Sequence, residues 1–162
     1  MSKAQQLTGH PFQHITVTMH LTGTPQYNLA SNGDGTGAPG SQITVASGDT
    51  LIYLHDRYAV HAYAAAWLTR HAIMLADRLP ETSPLPDSDR AGLTVTLAIH
   101  ATGRDQAFVR PDAGGIRVTI GKVTWICRDK QAFTGQQHIW HTALQLAAVV
   151  LPEHNLERLT PH

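Results

Sequence analysis

Eleven histidines stand out in this 162-residue chain. Imidazole is the side chain best suited to hold a metal or move a proton near neutral pH. They are spread along the sequence: His10, His14, His20, His55, His61, His71, His100, His138, His141, His154 and His162. Only His138 and His141 share one face of an expected helix, a spacing at which two neutral imidazoles can share a metal. No third ligand lies near them in sequence, so the expectation is surface histidines and no metal site. His10 and His14, near a loose terminus, could form a fortuitous metal pair. Asp56 and Asp129 recur in matched context, each before an expected helix, where a carboxylate accepts from free backbone N–H groups. Cys127 is the single cysteine and shares an inward strand phase with Val123 and Trp125. An inert core thiol is expected there. Gly33, Gly35, Gly37 and Gly40 suggest a phosphate loop, but no GxxxxGK[ST] occurs and the loop leads into a strand. No nucleophile elbow, HExxH or CxxC pattern is present. No catalytic residue and no cofactor is therefore assigned, and a protein that is not an enzyme is expected.

The elements that would position these groups follow from periodicity. Residues 14–22 alternate as a strand, and 25–31 can form a second. The flexible stretch 32–40 follows, and 42–47 with 50–55 read as a hairpin around Ser47-Gly48-Asp49. A helix capped by Asp56 runs to about Leu79, where Pro80 ends it. Its apolar face carries Val60, Tyr63, Trp67, Met74 and Leu75. The second half repeats this order: strands at 92–101, 106–110, 115–121 and 123–128, then a helix from Asp129 to about Leu151. That helix carries Phe133, Trp140, Leu144, Ala147 and Leu151.

The order suggests an internal duplication. Ile15-Thr16-Val17-Thr18 recurs as Leu93-Thr94-Val95-Thr96. Trp67 and Trp140 stand at one spacing after Asp56 and Asp129, and both halves reach Leu-Pro-Glu, at Leu79–Glu81 and Leu151–Glu153. The fold class expected is α+β: two tandem ββββα repeats, with antiparallel sheets each covered by one long helix. The organisation expected is a flexible N-terminus at 1–13, a first repeat at 14–81, a linker at 82–91, a second repeat at 92–153 and a tail at 154–162. Both repeats would form one compact domain.

A sheet covered by a helix on one side leaves its other face open. Ile15, Val17, Met19 and Leu21 should point to the core, with Leu93, Val95, Leu97 and Ile99. The open faces would carry Thr16, Thr18, His20 and Thr22, with Thr94, Thr96 and His100. Arg117, Thr119, Thr124 and Arg128 join them. Tyr53 and His55 correspond to Ile126 and Arg128 and also face outward. Threonine is a good strand former on any wet face, so a plain solvated sheet is one reading. The other is a binding patch of Tyr53, His55, Arg117 and Arg128, because stacking beside cations is what single-stranded nucleic acid needs. Self-association through open faces or sheet edges is a third.

The string ββββα–ββββα resembles the Whirly and PUR-repeat folds at the level of topology. That resemblance implies two units packed together, with sheets that bind single-stranded nucleic acid. It carries no family signature, so no residue role comes with it. Sheets of such binders are usually more basic than this chain.

Composition bounds the rest. Twelve basic and twelve acidic residues cancel, which argues mildly against a nucleic-acid binder overall but not against a local patch. Hydrophobic residues make up 42% and charged residues 15%, a balance that can fill a core without disulfides. No run is long and apolar enough to span a membrane, so no membrane partner is expected. One cysteine and a polar N-terminus point to the cytoplasm. The function expected is binding without catalysis, with single-stranded nucleic acid on an open sheet face. The rival is a regulatory or structural protein acting through protein contacts or a homo-oligomer.

Overall fold

The computed structural model describes residues 17–24, 26–32, 40–84 and 96–152. Several sequence expectations lie outside these: the 1–13 terminus, Ile15-Thr16, the glycines at 33–37, most of the linker, Leu93 to Val95, the tail, and His10, His14, His154 and His162.

The fold is α+β. Its elements in order are β1 (Val17–Leu21), β2 (Tyr27–Asn32), β3 (Gln42–Ser47), β4 (Thr50–Leu54), α1 (Arg57–Leu68), α2 (Arg70–Ala76), β5 (Leu97–Ala101), β6 (Ala107–Asp112), β7 (Gly115–Ile120), β8 (Val123–Cys127) and α3 (Lys130–Val150). Each half thus gives four strands and then helix, as expected.

The sheets are not assembled half by half. Sheet I has the order β1-β8-β7-β6 and sheet II the order β2-β3-β4-β5. Three strands of each are antiparallel and come from one half. The fourth is the other half's first strand, added in parallel: β1 beside β8 and β5 beside β4. The expected purely antiparallel sheets are therefore mixed sheets, completed by strand exchange. A parallel neighbour must come from a distant part of the chain, and the long connection between the halves supplies it.

The register corrects the repeat alignment. His20 lies opposite Ile126 and His100 opposite Tyr53, so His20 and His100 hold matching places. Val17 answers to Leu97, two residues away from the ITVT/LTVT match. A shift of two preserves the face, so the alternation holds in β1 and β5. Thr124, expected outward, is instead buried (4% exposed), as is Ile126 on the same side of central strand β8 (7%).

The helices are exchanged as well. α1 follows β4 but packs on β6 and β7, while α3 follows β8 but packs on β2 and β3. The helices run antiparallel. Arg57 at the start of α1 donates from Nε to Leu151 O (3.1 Å) and from Nη2 to Ala148 O (3.0 Å). Lys130 at the start of α3 donates its backbone N–H to Pro80 O (2.9 Å) and pairs with Glu81 (3.3 Å). The buried faces of both helices carry alanines (Ala59, Ala64 and Ala66, with Ala132, Ala143 and Ala147), short side chains that let packed elements approach closely.

The expected single helix of the first half is broken. Thr69 is extended (φ −69°, ψ 148°), ends α1 and caps α2, its Oγ1 accepting from Ala72 N at 3.3 Å. Thr142, the matching residue, stays helical and donates its Oγ1–H to His138 O (2.9 Å). The break turns α2 toward edge strand β6, where the His71 ring Nε2 reaches Val109 O at 3.2 Å. It also leaves Met74, expected in the core, 59% exposed.

The core gathers between sheets and helices. Tyr63 meets Trp140 (centroids 5.1 Å apart) and Trp125 edge-on (6.0 Å), and Trp67 meets Phe133 (6.0 Å). Trp140 donates its Nε1–H to Gln136 Oε1 (3.0 Å), so its one polar atom is satisfied in the interior.

The two aspartates do more than cap. Asp129 Oδ1 accepts from Ala132 N (2.8 Å), while Oδ2 accepts from Gly23 N (2.8 Å) and Ser83 N (3.0 Å). Asp56 Oδ1 accepts from Ala59 N (2.8 Å) and Oδ2 from Gly103 N (2.7 Å). Each carboxylate ties its own helix to the turn that follows the other half's exchanged strand. Gly23 (φ 65°) and Gly103 (φ 69°) adopt the left-handed backbone these turns need.

Candidate nucleic-acid interface

Strand alternation sends one set of side chains inward and leaves two outer sheet faces. In sheet I, Ile116, Val118 and Ile120 are buried, so Arg117 and Thr119 point out. Across the sheet, Arg110 lies opposite Arg117, Arg117 opposite Ile126, and Ile126 opposite His20. The next row is Phe108, Thr119, Thr124 and Thr18, with Thr119 and Thr124 hydroxyls 3.1 Å apart. Phe108 is 60% exposed, an aromatic ring in solvent beside an arginine row.

Arg128 follows β8, and its Nε–H donates to His20 Nδ1 (3.0 Å). The accepting nitrogen must be unprotonated. Burial first, then the Arg128 charge, lowers the His20 pKa, and Asp112 opposes them. Arg117 donates from Nε (3.1 Å) and Nη2 (2.9 Å) to Asp112 Oδ2. The Ala113 N–H and Arg117 hold the Asp112 carboxyl below the usual range. Arg117 is thus partly neutralised, whereas Arg110 and Arg128 form no ion pair with a carboxylate among the described residues, although the Arg110 charge also helps to lower Asp112.

Sheet II repeats the geometry with other chemistry. Its matching row is Ala30, Thr44, Tyr53 and His100. None of its four strands carries a lysine or arginine. His55 replaces Arg128, and its Nε2 lies 3.0 Å from His100 Nδ1. The ring planes differ by 8° with centroids 5.3 Å apart, so the rings meet edge to edge and share one N–H. Their nitrogens point at each other and do not converge on a metal. Tyr53 stacks on His100 (4.7 Å, 15°), which occupies one face of its ring.

The four residues expected to form one patch therefore divide: Tyr53 and His55 on sheet II, Arg117 and Arg128 on sheet I. Phe108, Arg110 and the His20–Arg128 contact were not singled out from sequence. Outward parity with Arg117 across the hairpin at Ala113-Gly114 was the available signal for Phe108 and Arg110. The repeated His-x-Thr-Gly, at His20–Gly23 and His100–Gly103, was the signal for the paired histidines.

The remaining chemistry-bearing groups are accounted for structurally. His141 Nε2 lies 3.5 Å from Gln145 Nε2, and no group of three metal-ligating side chains forms among the described residues. Burial pushes the Cys127 thiol up to about 12. It is therefore protonated near neutrality and a poor nucleophile. No described helix is long and apolar enough to cross a membrane.

A cavity of about 520 Å³ lies between β1 and the β3–β4 turn, lined by Met19, His20, Asp49 and Thr50. Among the described residues it is lined by no lysine or arginine. A second, of about 500 Å³, lies at the β6–β7 turn and includes Arg78 and Arg128.

No family model matches the chain, and no curated protein and no solved structure compared with it matches either.

Proposed function

We propose that the protein binds without catalysis, taking single-stranded nucleic acid across the outer face of sheet I. One observation carries this reading: exposed Phe108 stands in the row next to Arg110 and Arg117, with Arg128 beside them, on a sheet whose counterpart has no cation. The ring offers a stacking platform for a base, and the guanidiniums neutralise phosphates. The topological likeness to Whirly and PUR-repeat folds points the same way.

A second reading rests on sheet II. Its outer face combines Leu51, Tyr53, Ala30, Ala46 and Ala98 without a lysine or arginine, a surface suited to a protein partner or a second copy of the chain.

Fluorescence anisotropy with single-stranded oligonucleotides over a salt series tests the first reading. Affinity should fall with salt, and removing one phosphate-neutralising side chain should reduce the log–log slope by about 0.7. Arg110→Ala should show that reduction in full. Arg117→Ala should show less, because Asp112 already holds its charge. No binding at low salt would end the proposal.

A further inference from the structure

The cleft at the end of sheet I has two kinds of wall. Leu75 and Leu79, from the end of the α2 region, face Pro111 and Ile116 of the β6–β7 hairpin. Arg78 and Arg128 supply its positive charge. Its volume of about 500 Å³ falls in the range of small-ligand sites, which are mostly apolar with a few placed polar groups.

The turn is shaped around Arg128. A Cβ at Gly114 would stand 2.5 Å from Arg128 Nη1, so the bare turn leaves the guanidinium room to lie against it. Arg128 uses its Nε–H on His20, which leaves the Nη groups to donate elsewhere. Asp112 also lines the cleft, but Ala113 N–H and Arg117 already engage both its oxygens. Among the described residues the cleft is therefore net positive over an apolar floor. The matching positions in the other half, His55 for Arg128 and Val150 for Arg78, remove both arginines. The charge is thus a property of this corner and not of the repeat.

We infer that this cleft is a nucleotide subsite: a phosphate sits between Arg78 and Arg128, and the base rests against Leu75, Leu79 and Pro111. The inference deepens the reading of sheet I and rests on it in part, since Arg128 belongs to both the face and the cleft. The nucleotide is either the terminal unit of a strand crossing the face or a free nucleoside monophosphate.

Calorimetric titration of the full chain with AMP, adenosine and inorganic phosphate tests it. AMP should bind about tenfold or more tightly than adenosine, the worth of a charge-assisted contact, and phosphate should compete with it. Arg78→Ala should remove that advantage. Arg128→Ala, which leaves Arg78 in place, should weaken AMP as well.

Oligonucleotides ended by phosphate or hydroxyl separate the two sources. A preference for the phosphate end that Arg78→Ala abolishes assigns the cleft to a strand terminus. Indifference of the oligonucleotides, with AMP still dependent on Arg78, assigns it to the free nucleotide. The double variant Phe108→Ala/Arg110→Ala should abolish oligonucleotide binding and spare AMP, so failure of the face and failure of the cleft are read separately. AMP binding no tighter than adenosine, or AMP affinity unchanged in Arg78→Ala, overturns the inference.

Discussion

Sheets I and II share strand number, register and an exchanged parallel strand, yet their outer faces differ. Row for row, Arg110, Arg117, Ile126 and His20 stand where sheet II has Ala30, Thr44, Tyr53 and His100. Phe108 stands where sheet II has Asn28. The inward positions keep their apolar character in both: Ile43, Val45, Ile52 and Leu54 against Ile116, Val118, Trp125 and Cys127. Packing constrains the inner face because it must fill a dense interior. The outer face is free to acquire a different charge. A scaffold used twice can thus present two surfaces, and a neutral total charge conceals the basic one.

The comparison breaks most severely at the aspartates. Asp129 is fully buried and satisfies three backbone donors, so Asp129→Ala should cost about 3 kcal/mol of folding stability. Asp56 is half-buried and satisfies two, and its replacement by alanine should cost about 2 kcal/mol. Urea unfolding measures both, and equal losses would show that the two clamps do not differ as the bonding indicates.

Aromatic substitutions sharpen the functional contrast. Phe108→Ala should weaken single-strand binding by about 1–3 kcal/mol, the worth of one stacked base. Tyr53→Ala should leave affinity near that of the parent, since its ring already stacks on His100. Anisotropy at fixed salt ranks the two, and a reversed order would move the proposed interface to sheet II.

The smallest effect concerns pH. The native pKa of His20 is lowered, so below its ordinary value of 6.5 the unfolded chain takes up the proton first. The stability linked to neutral His20 is present above pH 6.5 and declines as the pH falls toward the native pKa. Acid should also detach Arg128, because protonated Nδ1 cannot accept its N–H. Melting temperatures across that window should fall less steeply for His20→Gln than for the parent. Parallel curves would remove His20 from the account.

Much of the fold was legible because it is written locally. Alternation located the strands, Asp56 and Asp129 marked the helix starts, and Pro80 and Pro152 marked their ends. Exchange was not legible, since a period of two says which face is buried and nothing about which strand lies alongside. Thr69 and Thr142 show a second limit. Both follow a matched tryptophan by two residues, and threonine can either cap a helix or bond back within one. The candidate interface was half legible: outward parity exposed Arg117 and Arg128, but only the hairpin pairing sets Phe108 and Arg110 beside them.

Strand exchange also governs how the molecule is made. Gly23 and its Asp129 partner are 106 residues apart, and the bond between them fastens the turn after β1. During synthesis β1 leaves the ribosome first and has no neighbour until β8 follows it. Sheet II can close once β5, ending at Ala101, has emerged, but sheet I waits for β8, which ends at Cys127. Such distant pairings close slowly and leave strand edges bare in the interval. A ribosome stalled before residue 123 would release a chain with β1 unpaired, an edge open to β1's counterpart on a neighbouring nascent chain.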